Sequence, residues 1–456
     1  MKNLEKNFKY IAYFLLLAIF FILIFNITYY HPILGYDGEA HDAYIDHLSR
    51  YLPNSLNMPL EENTREFFSP PLAYFFPSVV QVICRNTIQA VNLLEECKPY
   101  YNKATQIFQA VLYFLTLLIS MKTINLYLGK KKLINLNYLL LVSLLAVNYR
   151  TISMIRGEVY ILFFMSLLLN RFLKLKINNY QYSKKDIIVF GLIIGFLGLS
   201  RQWAFLLFPS LFLLFFLISK DYRKKYFNFL LGSFLIGFVV SAWFYFNLFF
   251  EYGSFTSFNK ESLGFNLNNQ KLSFYLPVSN ELSYLFTKPI RPYFSNQFLP
   301  ILYADVWGDY WGYFVFTSRF LDIGRNQLLI GDYLARVNIL SLLPTLLILF
   351  GFYRYTTKHK KDMFIRNLSL SVMVTFFGYL WFLVSYPEIP SGDTIKATYM
   401  VQLFNLIIIP ASLWLDSIKK LNLKRYSVYV FSLAVVFIHN FSSYLSHFPL
   451  EYIQSL

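Results

Sequence analysis

The chain has 456 residues, enough for several soluble domains, but 56% of them are hydrophobic, only 14% are charged and the mean hydropathy is +0.45. That composition excludes a soluble globular surface and describes a multi-spanning membrane protein. The net charge of +16 does not point to nucleic acid, because Lys and Arg fall in short runs between apolar segments rather than on one basic face. The apolar runs supply about eleven stretches of roughly 20 residues, each long enough to cross a bilayer as a helix. They are continuous rather than alternating, so a barrel is excluded too, and an all-α polytopic fold is expected.

Lys2, Lys6 and Lys9 precede the run Tyr10 to Tyr29 as in a signal sequence. The run is long and lacks a small-residue cleavage site, so it reads as a retained first span with a cytoplasmic N-terminus. Directly after it comes YDGEAHDAYIDHL, Tyr36 to Leu48, which concentrates Asp37, Glu39, His41, Asp42, Asp46 and His47 at a membrane edge. Carboxylates and imidazoles cluster there, where a lipid-borne substrate could meet them, and this loop is the expected active site. His41 has two readings, a structural hydrogen-bond partner or a catalytic or metal-binding group. Asp37, Glu39 and His41 together could hold a divalent metal, although their spacing is not diagnostic.

The loop Tyr30 to Pro71 sets seven acids against Arg50 and Arg65, which suits the outer side. Pro70-Pro71 fits only the first turn of a helix, so Leu72 to Leu94 is expected to be helical. If it crossed the bilayer, the Lys130-Lys131-Lys132 run would fall outside; a partly embedded outer-face helix is therefore expected, within a first outer loop of residues 30–103. Cys84 and Cys97, the only cysteines, are either one external disulfide or two separate thiols. Spans then follow near Thr105 to Leu128, Leu133 to Asn148, Glu158 to Leu173, Ile187 to Ser200, Trp203 to Ser219, Phe227 to Phe250, Val337 to Tyr353, Leu368 to Ser385, Tyr399 to Leu415 and Ser427 to Phe441. Basic runs at Arg171 to Lys185, Lys220 to Lys225, Arg354 to Arg366 and Lys419 to Arg425 assign the intervening loops to the cytoplasm. A second large outer loop covers residues 251–336, and a loop of such length is usually functional.

The remaining unusual polar residues all fall on the outer side of this scheme. Arg150, Arg156 and Glu158 flank one turn, Arg201 and Gln202 occupy the short turn of LSRQWAF, and Asp393, Lys396 and Tyr399 lie in YPEIPSGDTIKATYM. A charge at depth near a helix end costs up to ~3 kcal/mol, so such residues have a partner or a task. Arg156 with Glu158 is either a plain ion pair or part of a site; Arg201 and Lys396 either snorkel to headgroups or hold a substrate anion. In YADVWGDYWGYF, Trp307 and Trp311 stand among Asp305 and Asp309. That pattern serves equally a sugar-stacking platform or an interfacial aromatic belt.

In order along the chain, YDGEAHDAYI, EFFSPPLAYF, SMIRGE, LSRQWAFLLFP, WFYFNLFFEYG and GDTIKATYM together resemble the GT-C superfamily of membrane glycosyltransferases. The branch concerned is related to dolichyl-phosphate-mannose protein mannosyltransferases and aminoarabinose transferases. The resemblance implies outer-face juxtamembrane helices and transfer of a sugar from a polyprenyl-phosphate donor to a lipid, glycan or protein acceptor. It also implies a first-loop carboxylate as general base, with Asp37 in the matching position and Glu39 the second candidate. Arg201, Lys396 and Arg156 are then expected to bind the donor phosphate, and His41, Glu158, Gln202, Trp307, Asp309, Asp393 and Tyr399 the substrate. A soluble nucleotide-sugar donor has no evident docking motif. Two classes compete: a transporter or flippase of lipid-linked glycans, which needs polar groups at mid-membrane and access from both faces, and a ligase acting on a polyprenyl diphosphate glycan, which shares the same site logic and differs in donor size.

Overall fold

The computed structural model describes residues 2–30, 35–87, 93–130, 134–256, 258, 260–276, 280–291, 293, 296–315, 323–389 and 391–446. Lys131 and Lys132 of the first basic run, residues 31–34 and 88–92 of the first outer loop, and Pro390 lie outside these, as do 257, 259, 277–279, 292, 294–295 and 316–322 of the second loop. Among the described residues every regular element is helical. In chain order these are α1 (Lys2–Tyr29), α2 (Gly38–Tyr51), α3 (Leu72–Thr87), α4 (Leu93–Tyr127), α5 (Leu136–Val142), α6 (Ala146–Ser153), α7 (Glu158–Ile177) and α8 (Lys184–Ser200). They continue with α9 (Phe208–Leu217), α10 (Lys220–Tyr252), α11 (Leu272–Tyr275), α12 (Phe298–Trp307), α13 (Ile323–Lys358), α14 (Met363–Ser385), α15 (Val401–Leu421) and α16 (Leu423–His439).

Among the described residues seven segments are long and apolar enough to cross a membrane: Phe8–Tyr29, Asn102–Tyr127, Lys220–Tyr252, Ile330–Lys358, Met363–Ser385, Ala397–Leu421 and Leu423–Tyr444. The bent pair Ala146–Ser153 with Glu158–Ile177 makes eight if it counts as one span. The chain is thus an all-helical, multi-pass membrane protein. The other expected spans are present as shorter pieces. The run at 133–148 divides into α5, capped by the Asn135 side chain on Tyr138 N, and the start of α6. The stretch 187–200 is α8, of 17 residues. The stretch 203–219 begins as a 3-10 turn, Gln202–Leu207, and becomes the 10-residue α9 only at Phe208-Pro209, where proline suits a first turn. Helix α13 starts at Ile323, inside the segment expected to be loop.

Two compact units divide the chain. One comprises Met1–Tyr30, Ile124–Arg150 and Ser262–Leu456; the other His31–Thr123 and Thr151–Glu261. In the first, α15 lies against α5, α13 and α14, and α1 lies on α5. The amides of Asn148 and Asn405 pair reciprocally at 3.0 and 3.3 Å, the side-chain bonding that joins helices where lipid offers no hydrophobic drive.

In the second unit α8 runs beside α10 and α7, and α2 beside α3. Small residues permit the α8–α10 approach. A Cβ on Gly191 would fall 2.7 Å from the Ser233 carbonyl oxygen, and one on Gly237 would meet the Ile194 side chain at 2.6 Å. The spacing Gly191-x-x-x-Gly195 is the motif that lets membrane helices pack backbone to backbone. Gly157, just before α7, is tighter still: an added Cβ would overlap the Ser200 carbonyl oxygen at the end of α8. Because that neighbour is backbone, Gly157→Ala is expected to destabilise the protein by about 1–3 kcal/mol, read as a lower melting temperature in detergent. An unchanged melting temperature would show that the two helix ends are not held together.

Candidate functional site

The second unit builds its polar centre where α2, α3, α7 and α8 begin or end. Asp37 precedes α2 in the left-handed conformation (φ 54°), which Asp tolerates better than most side chains. Its carboxylate does not cap α2 and instead pairs with Arg65, Oδ1 to Nη2 3.0 Å. On α2 the buried positions His41, Tyr44, Ile45 and Leu48 recur at helical spacing. They face α3, which Pro71 opens by accepting from Tyr74 and Phe75 N–H. Ser78 Oγ donates to the Ile45 carbonyl and Gln81 Nε2 to Asp46 Oδ1, fixing the two helices in register. Cys84 near the end of α3 is disulfide-bonded to Cys97 in α4.

Arg201, in extended backbone after α8, is buried against two carboxylates. Its Nη1 donates to Glu66 Oε2 at 2.7 Å and to Ser69 Oγ, and its Nε stands 3.4 Å from Glu158 Oε1. Ser69 Oγ in turn donates to Glu66, and Tyr74 OH lies 3.5 Å from the same guanidinium. Burial alone would raise the Glu66 pKa, but the facing Arg201 cation outweighs it and holds the carboxyl at about 2. Tyr74 OH is 2.7 Å from His41 Nδ1, and the two rings stack. Burial is the main reason that His41 is held low, at about 3. Glu66 and Asp37 pull it up while Arg156 and Arg201 push it down, and the imidazole is neutral at pH 7. Burial and then Glu66 push the Tyr74 phenol upward, so it remains a protonated donor.

Arg156 completes the group. Its Nη2 donates to the Tyr36 carbonyl, the guanidinium lies over the Tyr36 ring at 5.3 Å, and its backbone N–H donates to Gln109 Oε1. Among the described residues Arg156 Nε and Nη1, both Glu158 oxygens and His41 Nε2 are buried without a hydrogen-bond partner. Buried polar atoms are nearly always partnered, and exceptions mark a place where a ligand or water belongs. The Arg201 guanidinium faces both carboxylates, Glu66 and Glu158.

Both buried ionisations predict acid sensitivity. The unfolded chain takes up a proton on His41 below 6.5, whereas the folded protein resists it down to about 3. The Glu66 contribution is complete above 4.5 and is lost as pH falls towards about 2. Over both windows the unfolded state binds more protons, so stability must fall as pH falls. The melting temperature in detergent is expected to decline from pH 6.5 to 4.5, and His41→Gln to flatten that part of the curve; a flat wild-type curve would refute it.

The expected residues divide between the units. Asp37, His41, Arg156, Glu158, Arg201 and Gln202 lie in the second. Gln202 Nε2 donates to the Phe68 carbonyl at 3.0 Å, and Glu39 is exposed on the first turn of α2. The first unit contains Trp307, Asp309, Asp393, Lys396 and Tyr399. Trp307 is buried in α12, and Asp309 Oδ2 accepts from Phe314 and Val315 N–H. Asp393 lies 3.7 Å from Arg291 in an exposed pair, and Lys396 Nζ lies 3.4 Å from Tyr399 OH. Glu66, Ser69 and Tyr74 were not expected at the site. Their signal was the single acid of EFFSPPLAYF, isolated among aromatic and apolar residues just before Pro-Pro. Among the described residues no three His, Cys, Asp or Glu side chains are placed to hold a metal ion. Comparison with known proteins finds no matching family model, no similar curated protein and no similar solved structure.

Proposed function

We propose that this protein is an inverting glycosyltransferase that moves a sugar from a polyprenyl-phosphate donor to an acceptor hydroxyl at the outer membrane face, within a GT-C-type arrangement of about eleven passes. The observation that carries the reading is the juxtaposition of a half-buried carboxylate, Asp37, with the buried atoms Arg156 Nε and Nη1, Glu158 Oε1 and Oε2 and His41 Nε2, which have no hydrogen-bond partner among the described residues. The acceptor O–H gives its proton to Asp37 as its oxygen bonds the anomeric carbon. The bond from that carbon to the phosphate oxygen breaks, and the electron pair leaves with the polyprenyl phosphate. Arg156, with two unused N–H groups, is the cation for that phosphate. Glu158 and His41 accept or donate to hydroxyls. Arg201, tied to Glu66 and Glu158, holds the acids in place rather than the donor. The disulfide supports an oxidising outer side for this unit. Lys396, in the other unit, is assigned to a lipid phosphate on its own account.

The test is an assay of the purified chain in vesicles with radiolabelled polyprenyl-phosphate sugars, following label into acceptor and release of polyprenyl phosphate. Movement of intact lipid-linked sugar between leaflets, with no bond broken, would establish a flippase instead.

A further inference from the structure

Between α6 and α7 the chain leaves helical geometry for four residues, Met154 to Gly157. In a continuous helix the carbonyls of Ile152, Ser153 and Met154 would accept from the N–H groups four residues on, and the break parts them from those donors. Irregular backbone at membrane depth is tolerated only where neighbouring groups satisfy it. Two glutamines one turn apart on the spanning helix α4 do so. Gln109 Nε2 donates to the Ile152 carbonyl at 2.7 Å and to the Met154 carbonyl at 2.5 Å, while Gln109 Oε1 accepts from Arg156 N–H at 3.1 Å. Gln106 Nε2 donates to the Ser153 carbonyl at 2.7 Å. Gln106, Gln109, Ile152, Met154 and Arg156 are all buried.

Gln109 therefore commits both amide protons and its oxygen to one break, and the oxygen holds the backbone of Arg156. The far end of that arginine is held as well, by Nη2 on the Tyr36 carbonyl. Between these two fixed points Nε and Nη1 are buried with no hydrogen-bond partner among the described residues. Buried guanidinium nitrogens left in this condition mark a place for an anion or a water.

We propose that Gln109 is a positioning residue, an amide on a spanning helix that sets Arg156 for a lipid-borne phosphate. This role rests on the assignment of Arg156 to the donor phosphate in the transfer proposed above, and adds the device that places it. Backbone and side chain fixed before the ligand arrives remove an ordering cost from binding. The plainer role is a staple for the helix break and nothing more. Gln106 supplies the comparison, because its bond lies on the α6 side, at Ser153.

The experiment has two readouts on the full chain in detergent. One is amide hydrogen exchange in peptides spanning Met154 to Glu158 of the ligand-free protein; the other is equilibrium binding of farnesyl phosphate, with farnesol and inorganic phosphate as comparison ligands. Gln109→Met keeps the length of the side chain and removes its amide. It is expected to speed exchange at Arg156 and to weaken farnesyl phosphate, each about tenfold, the effect of one lost hydrogen bond, with farnesol binding unchanged. Gln106→Met is expected to lower the melting temperature yet leave exchange and affinity near wild type. Arg156→Gln is expected to bind farnesyl phosphate about tenfold more weakly, and adding Gln109→Met to it to bring no further loss, because the amide acts through the arginine. Wild-type exchange in Gln109→Met, equal losses of affinity in the two glutamine variants, or losses that multiply in the double variant would overturn the positioning role and leave a staple. Equal affinity for inorganic phosphate and farnesyl phosphate would overturn the lipid-borne assignment. Absence of wild-type binding would overturn the role together with the phosphate assignment of Arg156. The expected binding pattern without sugar transfer would uphold the positioning role and count against the glycosyltransferase reading alone.

Discussion

Asp37→Asn is expected to lower the proposed sugar transfer by roughly two to four orders of magnitude, the usual contribution of a positioned general base, the role proposed for Asp37. Asparagine is nearly isosteric and among the few residues that accept the left-handed backbone at this position, so the start of α2 should be undisturbed. The lost pairing with Arg65 matters little, since that guanidinium is 59% exposed and such pairs contribute at most about 1 kcal/mol. The effect should therefore appear in the chemical step, with folding and donor binding preserved. Glu39→Gln is the control: exposed on α2, Glu39 should tolerate the change with turnover within a few-fold of wild type. The opposite pattern, an active Asp37→Asn and an inactive Glu39→Gln, would transfer the base role to Glu39.

Arg201→Ala is expected to have the largest effect on stability. Removing the guanidinium leaves Glu66 and Glu158 as buried carboxylates with no cation between them. Breaking a buried pair in this way costs about 3–5 kcal/mol. In the ligand-free protein this should lower the melting temperature in detergent by roughly 5–15 °C. Replacing both members of the closest pair, Arg201→Met with Glu66→Gln, should recover part of the loss, because the remaining groups are neutral or fewer in charge. A side chain that only touched a donor phosphate would behave differently, leaving the empty protein unchanged and weakening donor binding alone. That outcome would return Arg201 to direct substrate recognition.

The helical, membrane-spanning character was legible because it depends on length and continuity of apolar runs, which are local properties. The first-loop acids and the Pro-Pro entry to α3 were legible for a similar reason, since both concern neighbouring residues. Less accessible were Glu66 and Asp305, whose roles arise from ion pairs with Arg201 and Arg150 at sequence separations of 135 and 155. Nothing in EFFSPP or YADVWG alone identifies a partner so distant. The division of α5 from α6 and of the 3-10 turn from α9 was also hidden, because Leu-rich sequence favours helix on both sides of each break. Arg201 illustrates the limit most clearly: its short turn marked it as important, but only tertiary structure revealed that carboxylates already claim its nitrogens.

The glycine seam between α8 and α10 bears on how the centre behaves once assembled. Two rods seated glycine against the β-branched side chains of Ile194, Ile236 and Val240, whose rotamers are few, flex as a single girder. Arg201 sits at the end of one of them and inherits that stiffness. The geometry around Glu66 and Glu158 is therefore set during folding, and whatever ligand arrives must conform to a mould that yields little.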